Sequence, residues 1–213
     1  MNLPSACELD REKLADIERY YRTHARIYDL TRWTFLRGRA ALIKQVAASL
    51  TPNRILEVGC GTGTNLLHLG NAFPRAHLWG LDLSANMLAV ARRKLRKLTQ
   101  RLTLVEAAYD QPVAAATKFD LVVFSYALSM FGPGYEKAIM SASLDLAPHG
   151  AIAVVDFHDS ISQGFKKWMG LNHVRLDGHL LPCLRSLFPS HKWAVRPVYG
   201  GTWSYFFFLG QNP

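Results

Sequence analysis

Cysteine is scarce in this chain: Cys7, Cys60 and Cys183 are all there are, odd in number and far apart. Such spacing builds neither a disulfide framework nor a zinc site, and it reads as free thiols in a reducing cytoplasm. Long apolar runs are missing too. A membrane-spanning helix needs roughly 20 apolar residues, whereas the nearest candidates, AIAVVDF and YFFFLG, are strand-sized. The opening MNLPSACELDREK has no basic stretch followed by an apolar one, so no signal peptide is expected. Repeats, low-complexity tracts and linkers are lacking. His68, His77, His149, His173, His179 and His191 show no ligand spacing, so no metal is expected.

Acidic residues are also few, 16 against 25 Lys and Arg, leaving a net charge of +9. That balance favours nucleic acid, an anionic membrane surface or an anionic substrate. The densest run, RRKLRKLTQR from Arg92 to Arg101, carries six basic residues. It reads either as the solvated face of a surface helix or as an electrostatic foot on acidic lipid head groups.

What is present suits one soluble globular domain of 213 residues, 49% of them hydrophobic. From about Asp10 to Phe35, Ile17, Tyr20, Tyr21, His24, Ile27, Tyr28, Thr31 and Phe35 recur at three- and four-residue spacing, one face of a helix. A second helix is predicted over Ala40–Leu50, closed by Pro52. Residues 1–50 thus form an N-terminal cap. Strands and helices then alternate: strands at Ile55–Val58, HLWGLDL, LTLVEA, FDLVVFSYAL and GAIAVVDF, with helices from Thr62–Asn65, from an N-cap at Ser84 through Leu98, and over Gly134–Leu146. The pattern predicts an α/β doubly wound, mostly parallel sheet with a core spanning 53–157. Short helices are expected as a cover over 158–190. A hairpin about Gly200-Gly201, within 191–210, should add an antiparallel edge.

The chemistry sits in ILEVGCGTGTN, a strand running into a glycine-rich turn and a helix. Dinucleotide folds use G-x-G-x-x-G, but here the glycines are Gly59, Gly61 and Gly63 and no frame places the third one correctly. Glu57 would repel a pyrophosphate, and Asp82, ending the second strand, stands where an acid accepts hydrogen bonds from ribose hydroxyls. An adenosine ligand with a positive charge and no phosphate suits these residues better than NAD. Taken singly, each acid is as well explained by a structural role.

ILEVGCGTGTN, LDLS, KFDLVVFSYAL and LAPHGAIAVVD, in this order over roughly Asn53–Phe157, resemble the core of class I S-adenosylmethionine-dependent methyltransferases. The resemblance implies a Rossmann-like sheet of seven strands with an antiparallel last strand. It further implies that Glu57, Gly59, Gly61 and Gly63 contact the methionyl part of the cofactor, Asp82 the ribose and Leu83 the adenine. Where the family carries an acid beside the adenine amine, this chain has Ala107-Ala108 flanked by Glu106 and Asp110, either of which can supply that contact. Ser125 and Tyr126 fall where the family lines the methyl-donor pocket.

Ser125-Tyr126-Ala127-Leu128 lacks the Asp/Asn-Pro-Pro-aromatic signature of adenine amino methylases, which argues against a nucleic-acid target. The stretch RYYRTHARIYDLTRWTFLRGR, with the closing GGTWSYFFFLG, is similar to the bacterial N-methyltransferases that make betaine lipids from diacylglycerylhomoserine. This second resemblance implies trimethylation of a lipid amine at the inner face of the membrane, chemistry needing chiefly alignment and exclusion of water. On that reading Tyr20, Tyr21, Tyr28 and Tyr126 face the cationic groups, His24 accepts the amine proton, and Arg26 or Arg32 binds the acceptor's carboxylate. His158 and Trp168 are further pocket candidates, an anionic membrane surface is an expected partner, and a partner synthase can supply the substrate. Tyr28-Asp29 is shared with quinone C-methyltransferases, so a quinone or small-molecule C- or O-methyltransferase is the runner-up. The Tyr and His stripe equally fits core packing.

Overall fold

The computed structural model describes residues 36–113 and 118–212. The first helix of the predicted cap, with Tyr20, Tyr21, His24, Arg26, Tyr28 and Arg32, lies outside the described residues.

Helix α1 (Arg39–Ser49) starts at Gly38, whose φ of 81° only glycine adopts without strain, and buries Leu42, Ile43 and Val46. Five strands follow: β1 (Arg54–Val58), β2 (His77–Asp82), β3 (Leu102–Glu106), β4 (Phe119–Ser125) and β5 (Leu146–Ser160). Helices α2 (Thr64–Ala72), α3 (Ala85–Lys94) and α4 (Tyr135–Asp145) connect them. Then come α5 (Gln163–Leu171), α6 (Leu180–Leu187), β6 (Ser190–Val198) and β7 (Trp203–Gln211). The seven strands lie in the order β3-β2-β1-β4-β5-β7-β6. Only β7 runs against its neighbours, pairing antiparallel with both β5 and β6.

The continuous apolar strands have two faces to bury, and alternation sends successive residues to opposite sides. Ile55, Leu121, Val123, Ala153 and Val155 join α1, α2 and α3 in one core, while Leu56, Val58, Val122, Phe124 and Val154 join α4 and α6 in the other. Full burial of each large aliphatic side chain contributes about 1.5–3 kcal/mol.

Two expectations need correction, whereas the hairpin supplies the expected antiparallel edge: β7 fills the space between β5 and β6, and β6 is outermost. The crossover through α5 and α6 sets β6 down one strand-width away from β5, and the hairpin returns into that gap. The helix capped by Ser84, whose Oγ accepts from Met87 N, stops at Lys94 rather than Leu98. A tighter turn over Arg96–Arg101 follows, bringing Arg101 onto the carbonyls of Gly70, Phe73 and Ala76 at the end of α2. The fifth strand begins at Leu146, with a register shift against β4 between Phe119 and Leu121.

Candidate active site

The strand order reverses between β1 and β4, and ligands of open α/β sheets bind where that happens, beyond the carboxyl ends of the strands. A cleft of about 720 Å³ opens there. Its first half is built by the loop after β1. Gly59, Gly61 and Gly63 all have positive φ, which folds the turn tightly enough for Gly59 N and Cys60 N to donate to Leu81 O. A Cβ on Gly59 would stand 2.7 Å from that of Ala127, so the loop and the β4 turn approach in a way only glycine permits. Gly63 does not line the cleft. It precedes α2 and packs on Leu95 and Ala91, making it a packing glycine. Cys60 is a buried filler whose thiol burial pushes up, away from the thiolate.

Glu57 is fully buried at the cleft floor. Its Oε1 accepts from Asn65 Nδ2 at 2.9 Å, and its Oε2 has no protein partner among the described residues. Burial pushes this carboxyl up to about 8, opposed by the Asn65 hydrogen bond and the Arg39 guanidinium. Asp82 receives Gly61 N at 2.7 Å on one oxygen and Ser84 N at 2.9 Å on the other. A carboxylate offers about four lone-pair sites, so Asp82 ties the glycine turn down while keeping acceptors for a hydroxyl pair. Burial raises its pKa as well.

Beyond β3 the segment Ala107–Asp110 lines the cleft. It is pinned from behind by Asp145, which is wholly buried and accepts from Tyr109 Oη at 2.8 Å and from Val113 N. Glu106, expected beside the adenine, is exposed at the strand end and does not line the cleft; Asp110 is the acid that does. Leu83 and Ala107 line it as expected.

Ser125 and Tyr126 join this half to the next. Ser125 Oγ accepts from Arg39 Nε at 2.8 Å, and the Arg39 guanidinium lies 5.7 Å from the Tyr126 ring centroid. No motif or spacing singles out Arg39, which α1 delivers to the cleft 86 residues away from Ser125. Tyr126, expected to be catalytic, is buried with φ 57° and donates its hydroxyl to Arg37 O at 2.6 Å. That proton is committed, and burial raises the phenol's pKa, so Tyr126 is a wall and an anchor rather than a base.

The far half is framed by Ser129–Gly134 and by Gly170 and His173–Asp177. Arg175 N donates to Ser129 O, joining the two walls. Ser129 N is in turn held by Asp156, fully buried, with its carboxyl pushed up by burial to about 6. Apolar side chains Met130, Phe131, Pro133, Val174 and Leu176 alternate there with the cations Lys137, Lys166 and Arg175. Lys166 pairs with Asp159, and Arg175 with Asp177, which also contacts His179. His158 and Trp168, expected to contact substrate, do not line the cleft. His158 sits behind it against Gly178 and Phe206, and Trp168 is half exposed on the outside of α5. Among the described residues no group of three or more side chains is arranged to hold a metal ion.

An enclosed carboxylate with one unpaired oxygen, a neighbouring guanidinium, a ribose-type acid and a pinned apolar loop together fit a ligand with a cation, a carboxylate, a sugar and a flat ring. Known proteins to which this chain is similar include several methyltransferases. Residues 55–150 match the family model of the methyltransferase domain. The ubiquinone/menaquinone biosynthesis C-methyltransferase UbiE of Syntrophotalea carbinolica is 32% identical over 121 residues, 57% of this chain and 50% of that protein. The dTDP-3-amino-3,4,6-trideoxy-alpha-D-glucopyranose N,N-dimethyltransferase of Streptomyces venezuelae is 32% identical over 73% of this chain and 65% of its own. Among solved structures, the N-methyltransferase NodS of Bradyrhizobium japonicum, in complex with S-adenosyl-L-homocysteine, superposes with a TM-score of 0.67 at 17% identity, covering 83% of this chain and 87% of that one. The chain spans about half the length of the first curated relatives it matches.

Proposed function

We propose that this chain, whose residues 55–150 form a class I methyltransferase domain that uses S-adenosylmethionine, moves the methyl group to a carbon or oxygen of a small-molecule acceptor of the quinol kind. On this reading Glu57 takes the cofactor's ammonium on its unpaired Oε2, and Arg39 takes the carboxylate. Asp82 holds the ribose, and Leu83 with Ala107–Asp110 encloses the adenine. The cofactor would supply an activated methyl on a sulfonium, and the walls of the cleft would hold the acceptor's nucleophilic atom in line with it and keep water out.

The observation that carries the choice of acceptor atom is the charge of the far half. Lys137, Lys166 and Arg175 stand there between apolar walls, and since Lys166 is paired with Asp159 and Arg175 with Asp177, Lys137 leaves one positive charge in excess. A phenol or enol in such a site is held more readily as its phenolate or enolate, which is the nucleophilic form. An ammonium is repelled. The quinone C-methyltransferase relatives support the same choice.

A second reading, methylation of the amino group of a lipid head group such as diacylglycerylhomoserine, is favoured by one observation. The sugar N,N-dimethyltransferase covers 73% of the chain, more than the quinone enzyme does. A head group bearing its own carboxylate would also suit the cations.

One experiment separates the two. Purified protein is incubated with isotopically labelled S-adenosylmethionine and, in parallel, with a demethylated quinol and with diacylglycerylhomoserine in vesicles, and the products are resolved by mass spectrometry. A single labelled methyl on the quinol is the expected result. One to three labelled methyls on the head-group nitrogen would replace it with the lipid reading.

A further inference from the structure

Among the described residues, three that line the cleft keep a buried side-chain oxygen without a directed partner: Glu57 Oε2, Asn65 Oδ1 and Ser129 Oγ. Buried polar atoms are nearly always paired, so each exception calls for an explanation. Glu57 and Asn65 are hydrogen-bonded to each other in the cofactor half and belong to the site already described. Ser129 stands apart from them in the far half and is 1% exposed. His158 Nδ1 is also buried without a partner, but His158 does not line the cleft.

The main chain of Ser129 is already committed. Its N–H donates to Asp156 Oδ2 at 3.1 Å, and its carbonyl accepts from Arg175 N at 2.9 Å. Strand β5 thus holds the residue by its amide and the Val174–Asp177 loop holds it by its carbonyl, which leaves the hydroxyl as its uncommitted polar group. Asp156 is wholly buried, and its Oδ1 accepts from Phe157 N at 2.8 Å. A carboxylate has about four lone-pair sites, so Asp156 keeps accepting capacity beyond these two bonds. Ser129 Oγ stands close enough to favour the charged form of that carboxylate, although the two do not form a directed hydrogen bond. A hydroxyl beside a carboxylate has its proton drawn to the charge, and its lone pairs are left for a donor.

Along the chain Ser129 falls between Ser125, which with Arg39 closes the cofactor half, and Met130 and Phe131, which begin the apolar wall. We propose that Ser129 Oγ is the contact for a hydroxyl group on the methyl acceptor, accepting that hydroxyl's hydrogen bond while its own O–H is turned to Asp156. Ser129 is then a specificity-determining residue, and Asp156 a positioning residue that acts through it. The pair selects an acceptor that can donate, such as a phenol or an enol, over an ether of the same shape, which would leave the buried lone pairs unanswered. This rests on the reading of the acceptor as a hydroxyl-bearing ring, but it does not need that ring to be a quinol.

The test is calorimetric binding of para-butylphenol and of its methyl ether to the full chain saturated with S-adenosylhomocysteine, in buffer well above the pKa of Asp156. Wild type is expected to bind the phenol about tenfold more tightly than the ether. Ser129→Ala, which keeps both backbone bonds, should bind the phenol only as well as the ether, with the affinities for the ether and for S-adenosylhomocysteine unchanged. Asp156→Asn separates orientation from support: a merely structural role would weaken both probes alike, whereas the orienting role weakens the phenol and spares the ether. Absence of phenol binding, equal affinity for the two probes in wild type, or a Ser129→Ala protein that keeps the preference overturns the proposal. Equal weakening of both probes by Asp156→Asn overturns the part given to Asp156. If the quinol is not methylated and the phenol preference still depends on Ser129, the hydroxyl contact stands and only the quinol assignment falls. Methylation of the quinol without that preference has the opposite meaning.

Discussion

Glu57 makes cofactor binding a proton-coupled event, and the size of the coupling follows from its surroundings. In the empty cleft its carboxyl is held near 8, against 4.5 in the unfolded chain, because burial disfavours the charge and only Asn65 and Arg39 offset it. The sign is that of a raised acid. As far as this group is concerned, the empty fold is at full stability below pH 4.5 and loses stability as pH rises through 8. An ammonium placed on Oε2 reverses the preference, so binding must expel the proton wherever Glu57 was protonated. Below pH 8 the cofactor's affinity should then rise about tenfold per pH unit, the limit for one released proton. An α-amino group titrates at about 7.7–8.0, so the clean window lies between about pH 5.5 and 7.5. Calorimetry in buffers of different ionisation enthalpy counts the protons directly, and close to one per cofactor is expected at pH 6.5. Glu57→Gln keeps the Asn65 contact without the charge. It should bind on the order of 10- to 100-fold more weakly, with no proton release, the effect of losing one charged hydrogen bond worth about 1.5–3 kcal/mol. The substituted protein should be no less stable than wild type when empty at pH 8. Proton release below about 0.2 per cofactor, or a Glu57→Gln protein that binds like wild type, would refute the assignment.

Other substitutions test the remaining parts of the site. Arg39→Met should raise the cofactor KM about tenfold with a smaller change in kcat, since it removes a charged partner present throughout the cycle. Ser125→Ala, which only frees the tether on Arg39, should do less; steady-state kinetics at saturating acceptor separates the two. Gly59→Ala forces a side chain into φ 69° and within 2.7 Å of Ala127, and should cost about 1–3 kcal/mol in urea unfolding along with cofactor binding. Arg101→Met should cost about 1–2 kcal/mol because three carbonyls lose their donor, whereas Arg92→Ala, on the exposed side of the same run, should stay within about 0.5 kcal/mol. Equal effects at positions 101 and 92 would mean that the run acts only as a surface charge.

The alternation of strands and helices was legible because parallel strands covered on both faces have to be apolar throughout, and ILEV, LVVF and AIAVV are. The place of β7 was less so, since the hairpin strands are both rich in β formers. The cue was there nonetheless: Lys192, Arg196 and Pro197 in β6 are what an exposed edge carries, and β7 has none of them. The cofactor half was legible for a related reason. Its residues sit at strand ends or in one glycine turn, where spacing along the chain fixes spacing in the fold. Glu106 broke that rule: it pairs in register with Asp82 yet stays exposed at the end of β3, outside the cleft.

The acceptor half had no such rule to follow. The Ser129–Gly134 turn and the Val174–Asp177 loop come from separate parts of the chain and meet only through tertiary bonds, from Arg175 to Ser129 and from Ser129 to Asp156. None of these residues lies in a periodic pattern, and none is of a type that marks a site by itself. Yet these residues set the charge that the incoming acceptor meets. One nucleotide core therefore serves relatives that methylate carbon, oxygen and nitrogen. On the proposed reading the core would fix where the methyl waits, and the cations around the far wall would favour an acceptor that arrives as an anion over one that arrives as an ammonium.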